Sequence, residues 1–123
     1  MKADLINAWL FNEGYKHEVD QDGDIHFKYQ GKHLYFTPDD DEGYFRLILP
    51  NIYDVNNDRV KVLEACNTIA RKYKVAKAYI VNDRLWLAIE IFVDSTPEID
   101  DFFERACNIL IKCYDEISSE IAS

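Results

Sequence analysis

VKVLEACNTIARKYKVAKAYIVNDRLWLAIEIFV, residues 60–93, is the stretch whose reading decides the fold. In its first half, Val62, Leu63, Cys66, Ile69, Ala70 and Tyr73 recur at spacings of three and four, which puts them on one stripe of a helix. Asn56, Asn57 and Asp58 supply side chains able to cap its N-terminus. Arg71, Lys72, Lys74 and Lys77 gather around its end, where cations complement the helix dipole. From Ala76 the period changes to two, the signature of a strand with unlike faces. Asn82-Asp83, two residues that tolerate positive φ, form the turn of a hairpin. A two-residue turn sets Ile80 against Leu85, Ala78 against Leu87 and Ala76 against Ile89, an aliphatic face suited to covering by a helix. The other face carries Tyr79 beside Trp86, with Val81, Ala88 and Phe92.

On the N-terminal side, residues 4–13 read as a short helix with Leu5, Ala8 and Trp9 on one face, Ile6 and Leu10 beside it, and Gly14 as the stop. Two alternating segments follow, 15–19 and 24–29. A two-residue loop at Asp22-Gly23 would oppose Val19 to His26, so an odd-length loop, with Val19 opposite Phe27 or Ile25, fits the faces better. The turn at Gln30-Gly31 pairs Phe27 with Leu34 and Ile25 with Phe36, leaving His26, Lys28, His33 and Tyr35 on the wet face. Residues 38–43, PDDDEG, are a solvated, self-repelling connector. In 44–50, Phe45, Leu47 and Leu49 face inward and Tyr44, Arg46 and Ile48 outward, with Pro50 ending the ladder.

The last helix begins at STPE, with Ser95 as N-cap, Glu98 as its capping-box partner and Pro97 in the first turn. Its stripe is Ile99, Phe102/Phe103, Ala106, Leu110, Cys113 and Ile117, and Cys107, Ile111 and Tyr114 widen it beyond one contact surface. The order is therefore α-β-β-β-β-α-β-β-α: an α+β fold with a mostly antiparallel sheet, helices mainly on one face, and residues 1–123 forming one domain.

With 14 Lys+Arg against 23 Asp+Glu, the net charge of −9 points away from nucleic acid, whose binding needs clustered cations. Three cysteines, Cys66, Cys107 and Cys113, form no C-x-x-C pair and read as buried reduced thiols. MKADLINAWLF lacks a signal-peptide pattern and no apolar run approaches the length of a membrane span, so the expectation is a cytoplasmic protein with no membrane partner.

FNEGYKHEVDQDGDIHFKYQGKHLYF, YFRLILPNIY and VLEACNTIARKYKVAKAYIVNDRLWLAIEIFV together resemble the YbjN-like family, whose fold is that of the type III secretion chaperones. The helix residue Asn67, followed by a charged helix end and a hairpin, is the most recognisable part. The resemblance implies a non-enzymatic, commonly dimeric regulatory domain and brings no catalytic residues with it.

Candidate chemistry is sparse. Asp20, Asp22 and Asp24 alternate as in a calcium loop, but Ile25 stands where that loop needs Gly and Gly31 where it needs a bidentate Glu, so a hairpin turn is expected. His26 and His33 are diagonal neighbours, but a transition-metal site would want a third ligand and Lys28 opposes it. G-x-G-x-x-G, P-loop and H-E-x-x-H motifs are missing, so no catalytic residue, metal or cofactor is expected. Asn67, on or beside the helix stripe, is expected to be a structural clamp, because an unsatisfied buried amide costs about 1–3 kcal/mol. Tyr79, Trp86 and Phe92 cannot be covered by the helices that cover Ile80, Leu85 and Leu87. These three, with Ile111 and Tyr114 on the last helix, are the candidate residues for binding a protein partner or a second copy in a homodimer, and simple cross-strand pairing of Tyr79 with Trp86 is the alternative for the sheet face. A small-ligand sensor with a pocket between helices and sheet is the alternative, and a hydrolase built on Asp and His groups a third reading.

Overall fold

The computed structural model describes residues 2–94 and 98–123, Asp101 by its backbone alone. The elements are α1 (Lys2–Asn12), β1 (His17–Val19), β2 (Ile25–Tyr29), β3 (Lys32–Phe36), β4 (Tyr44–Asp54), a 3-10 turn (Val55–Asn57), α2 (Arg59–Lys72), β5 (Ala76–Val81), β6 (Arg84–Phe92) and α3 (Ile99–Ala122). This is the expected α+β order. All neighbouring strands are antiparallel, in the sheet order β1-β2-β3-β4-β6-β5. The expected capping residues Ser95 and Pro97 lie outside the described residues.

The hairpins follow from their turns. Gln30 and Gly31 have φ of 47° and 79°, and Asn82 and Asp83 have 49° and 62°, so both turns twist in the sense that matches their strands. Phe27 then faces Leu34, Ile25 faces Phe36, and Ile80, Ala78 and Ala76 face Leu85, Leu87 and Ile89. Across the odd-length loop 20–24, Val19 opposes Ile25. Val19 is nonetheless 54% exposed, because β1 is the short outermost strand. Helix α1 ends where Gly14 adopts φ of 82°. There Tyr15 N donates to Leu10 O at 2.9 Å and Gly14 N to Phe11 O at 3.1 Å, a Schellman closure. The Tyr15 ring stacks on Trp9, at 5.8 Å between centroids.

Between the sheet and the helices lies one apolar core that includes Phe27, Phe36, Phe45 and Phe103, each 2% exposed or less. At its margin the Tyr29 hydroxyl donates to Asn108 Oδ1 at 2.7 Å, and burial pushes the phenol up to about 12. Burial likewise raises all three thiols, Cys113 to about 12 and Cys107 further, so they are protonated apolar packing groups.

Three sequence expectations are corrected. In α1 the buried face is Lys2, Ile6, Trp9 and Leu10, while Leu5 and Ala8 are exposed. Both Leu5-Ala8-Trp9 and Ile6-Trp9-Leu10 satisfy helical spacing, and only docking chooses between them. In α2 the buried residues are Val62, Ala65 and Ile69, while Leu63 and Ala70 are exposed. Pro50 does not end its strand: β4 runs to Asp54 through a bulge, Leu49 opposing Leu87 and Tyr53 opposing Leu85, with Asn51 at φ 55°. Pro50 lies where the register shifts, so its missing N–H removes no regular ladder bond. The acidic connector also bonds its own backbone: Asp39 Oδ1 accepts from Asp41 N at 2.9 Å, and Asp41 Oδ1 from Gly43 N at 2.8 Å.

In the loop 20–24, Asp20 Oδ1 accepts from Asp22 N at 2.9 Å and from Asp24 N at 3.1 Å, so its carboxylate closes a turn. Burial, then the Asp20 and Asp22 carboxylates, raise the Asp24 carboxyl above its ordinary value. A raised acid is one whose charged form the native state disfavours, so Asp24 costs stability once it ionises and the cost vanishes as pH falls below its unfolded value. Asp24→Asn is expected to raise the melting temperature at about pH 7 and to leave it unchanged at about pH 3, as read by circular dichroism.

Candidate partner-binding face

Helices pack against one side of the sheet, so alternation fixes what the other side shows. On β6 the outward positions are Arg84, Trp86, Ala88, Glu90 and Phe92, and the pairing of β6 with β4 and β5 places Tyr44, Arg46, Ile48, Lys77 and Tyr79 around them. Phe92 is 79% exposed and its ring meets Tyr44 at 4.9 Å. Tyr79 and Trp86 are half-buried and meet at 6.4 Å.

Between these pairs lies a polar band centred on Arg46. Its Nε donates to Glu90 Oε2 at 3.3 Å, Nη1 to Thr37 Oγ1 at 3.1 Å and Nη2 to the Tyr79 hydroxyl at 2.9 Å. Lys77 Nζ reaches the other oxygen of Glu90 at 3.2 Å. Tyr79, Trp86 and Phe92 therefore share a face without forming one patch: six residues of strand, roughly 20 Å, separate Trp86 from Phe92. The face also buries Ile48 and Ala88, to 5% and 0% exposure, with no helix of the described residues above them. Both sit on the ladder among larger neighbours, Ile48 between Tyr35 and Ala88, and Ala88 between Ile48 and Lys77. Alternation already put Arg46, Ile48 and Ala88 on the outward side; that they meet there was not legible in the sequence, because β4 pairs with β6 across a helix and a strand.

The remaining candidates lie elsewhere. Ile111 and Tyr114 are half-buried on α3, packed against the core on the helical side, with Lys32 Nζ 4.1 Å above the Tyr114 ring. The structure does not bring them to the aromatic sheet face. Asn67 is exposed, contrary to its expected role as a buried clamp: it lies two residues from both Ala65 and Ile69, about 200° round the helix from each. Thr68 ties α2 to α3 instead, its hydroxyl 3.0 Å from Glu120 Oε1, and Lys72 pairs with Glu116.

A hollow of about 650 Å³, lined by residues that include Phe11, Tyr15, His17, His26 and His33, opens at the β1 rim rather than between helices and sheet. Among the described residues no three His, Cys, Asp or Glu side chains are grouped to hold a metal, and no helix is long and apolar enough to cross a membrane.

Residues 3–123 match the family described as TY-Chap1, T3SS (YopN, CesT) and YbjN peptide-binding chaperone 1. Solved structures that share the fold include these three. An uncharacterized protein from Methanothermobacter thermautotrophicus has a TM-score of 0.65 at 12% identity, over 99% of this chain and 97% of that one. The Yersinia pestis type III secretion chaperone SycH, in complex with a stable fragment of YscM2, has a TM-score of 0.62 at 12% identity, over 97% and 98%. YbjN from E. coli, a putative transcription regulator, has a TM-score of 0.65 at 15% identity, over 97% and 87%. No protein of curated description matches the sequence.

The two roles of the outer face separate on mutation. Ile48→Ala is expected to cost about 2–4 kcal/mol, as a buried side chain does, and Phe92→Ala less than about 0.5 kcal/mol, in urea denaturation.

Proposed function

The chain belongs to the TY-Chap1 family of peptide-binding chaperones, and from that premise we propose that it is a non-enzymatic module that captures a peptide segment of a protein partner on the outer face of its sheet. The observation that carries this reading is Phe92, 79% exposed and ring-paired with an exposed Tyr44, on a sheet face that no helix among the described residues covers. An apolar ring left in water at the end of an ordered strand is the kind of anchor around which interfaces concentrate their binding energy. The second anchor is Trp86 with Tyr79, and the Arg46–Glu90–Lys77 band lies between the two. An extended segment of about seven residues spans that distance. The bound segment would carry apolar side chains at both ends and a charged or hydrogen-bonding residue in the middle.

We place this activity in the cytoplasm, with residues 1–123 acting as one unit and the partner a protein rather than nucleic acid or membrane; the net charge of −9 supports the exclusion of nucleic acid. A homodimer that closes this same face is the competing state. A small-ligand sensor draws less support, because phenylalanines fill the space between helices and sheet that its pocket would need.

Peptides selected from a random library against the wild-type protein provide the test. Phe92→Ser and Trp86→Ala should each weaken the selected peptides by about tenfold or more while the far-UV spectrum stays native. Light scattering on the same proteins reads self-association, and Phe92→Ser should shift any dimer to monomer. Peptides that bind both variants as tightly as the wild type would remove this face from the function.

A further inference from the structure

Beyond the aromatic pairs, the outer face carries a second cluster, and its side chains are arranged by ladder register. His26 on β2 opposes Glu18 on β1 and Tyr35 on β3, and His33 opposes Lys28. The Tyr35 ring stacks on His26 at 4.7 Å with 16° between planes. His26 Nε2 and His33 Nδ1 are 2.8 Å apart, and the ring centroids are 5.0 Å apart. That centroid distance is close to the contact distance plus two ring radii, so the imidazoles meet edge to edge with their nitrogens toward each other. At most one of those two nitrogens carries a proton in this contact, since the other must accept.

Two imidazole nitrogens bound to one ion at about 2.0–2.1 Å, with a right angle at the metal, are about 2.9 Å apart, and a tetrahedral angle widens this to about 3.3 Å. The ladder already holds the pair at the shorter of these distances. Seating an ion needs only a tilt of each ring about its last torsion, which is a soft one. His33 is exposed and both rings line the hollow at the β1 rim, so the site is open to solvent. Glu18, across the ladder from His26, adds a carboxylate to the neighbourhood; Lys28, across from His33, works against a cation there.

We propose that His26 and His33 form a two-imidazole site for a divalent transition-metal ion of the Cu2+ or Zn2+ type. Imidazole pairs favour these borderline ions over Mg2+ and Ca2+, which want oxygen. Water fills the remaining coordination positions. The ion takes the place of the hydrogen bond between the rings: the imidazole that donated it carries its single N–H on its other ring nitrogen instead, so both rings bind as neutral ligands.

Titration calorimetry of the full chain with CuCl2 and with ZnCl2 tests the site, alongside the electron paramagnetic resonance spectrum of the copper form. One equivalent of ion should bind, and the copper spectrum should show coupling to two equatorial imidazole nitrogens. His26→Ala and His33→Ala should each weaken binding at least about tenfold, while His17→Ala, which removes the third histidine, should not. Thermal melts without metal check that the variants fold. Equal affinity in all four proteins would mean adventitious binding only and would overturn the site. So would a copper spectrum with fewer than two imidazole nitrogens, a result that needs no variant.

Discussion

Pairing of β4 with β6 is the constraint on which the rest of this structure depends. The two strands are remote in sequence, and their ladder runs from Tyr44–Phe92 to Asp54–Arg84. Without it the chain is two separate hairpin systems, each too small to bury a core. With it, the N-terminal strands and the β5–β6 hairpin become one sheet. The inward sides of both halves then present Phe27, Phe36, Phe45, Leu85 and Leu87 to the helices as a single apolar surface. Closing that long loop costs chain entropy, which only long-range burial offsets.

The bulge in β4 reconciles this ladder with the chemistry of its residues. A proline in a regular inner strand leaves a partner carbonyl without a donor. Here the register shifts between Leu49 and Tyr53, Asn51 turns into the left-handed region, and its carbonyl accepts from Arg84 Nη2 at 3.1 Å. The strand continues to Asp54, whose carboxylate accepts from Asn56 N at 2.9 Å and starts the turn into α2. A residue that locally reads as a stop is thereby absorbed, and α2 starts where Asp58 caps it.

Placing all three helices on one side of the sheet leaves the other side to cover itself. It does so with long side chains laid over small ones, which is why Ile48 and Ala88 are buried there and why Arg46 gathers three partners. A charge held by that many hydrogen bonds is fixed in position. The aromatic residues at the two ends are what this self-covering leaves over, so the face presents two separate aromatic pairs rather than one continuous apolar patch.

By itself the sequence determined the element order, the faces of the strands and the turns, because alternation and turn residues are local and a one-residue slip would expose every core side chain. It also marked Tyr79, Trp86 and Phe92 as sharing the side away from the helices. Only the tertiary structure decided which helix stripe is buried, since Leu5 and Ile6 in α1, or Leu63 and Ala65 in α2, satisfy helical spacing equally well until the helix docks. The same holds for Asn67, which lies outward because Val62, Ala65 and Ile69 were chosen inward. The division of the aromatic face by Arg46, and the edge-to-edge contact of His26 with His33, were likewise set by neighbours on other strands. Period and propensity are properties of a segment, whereas burial and cross-strand contact belong to the pairings the segment enters.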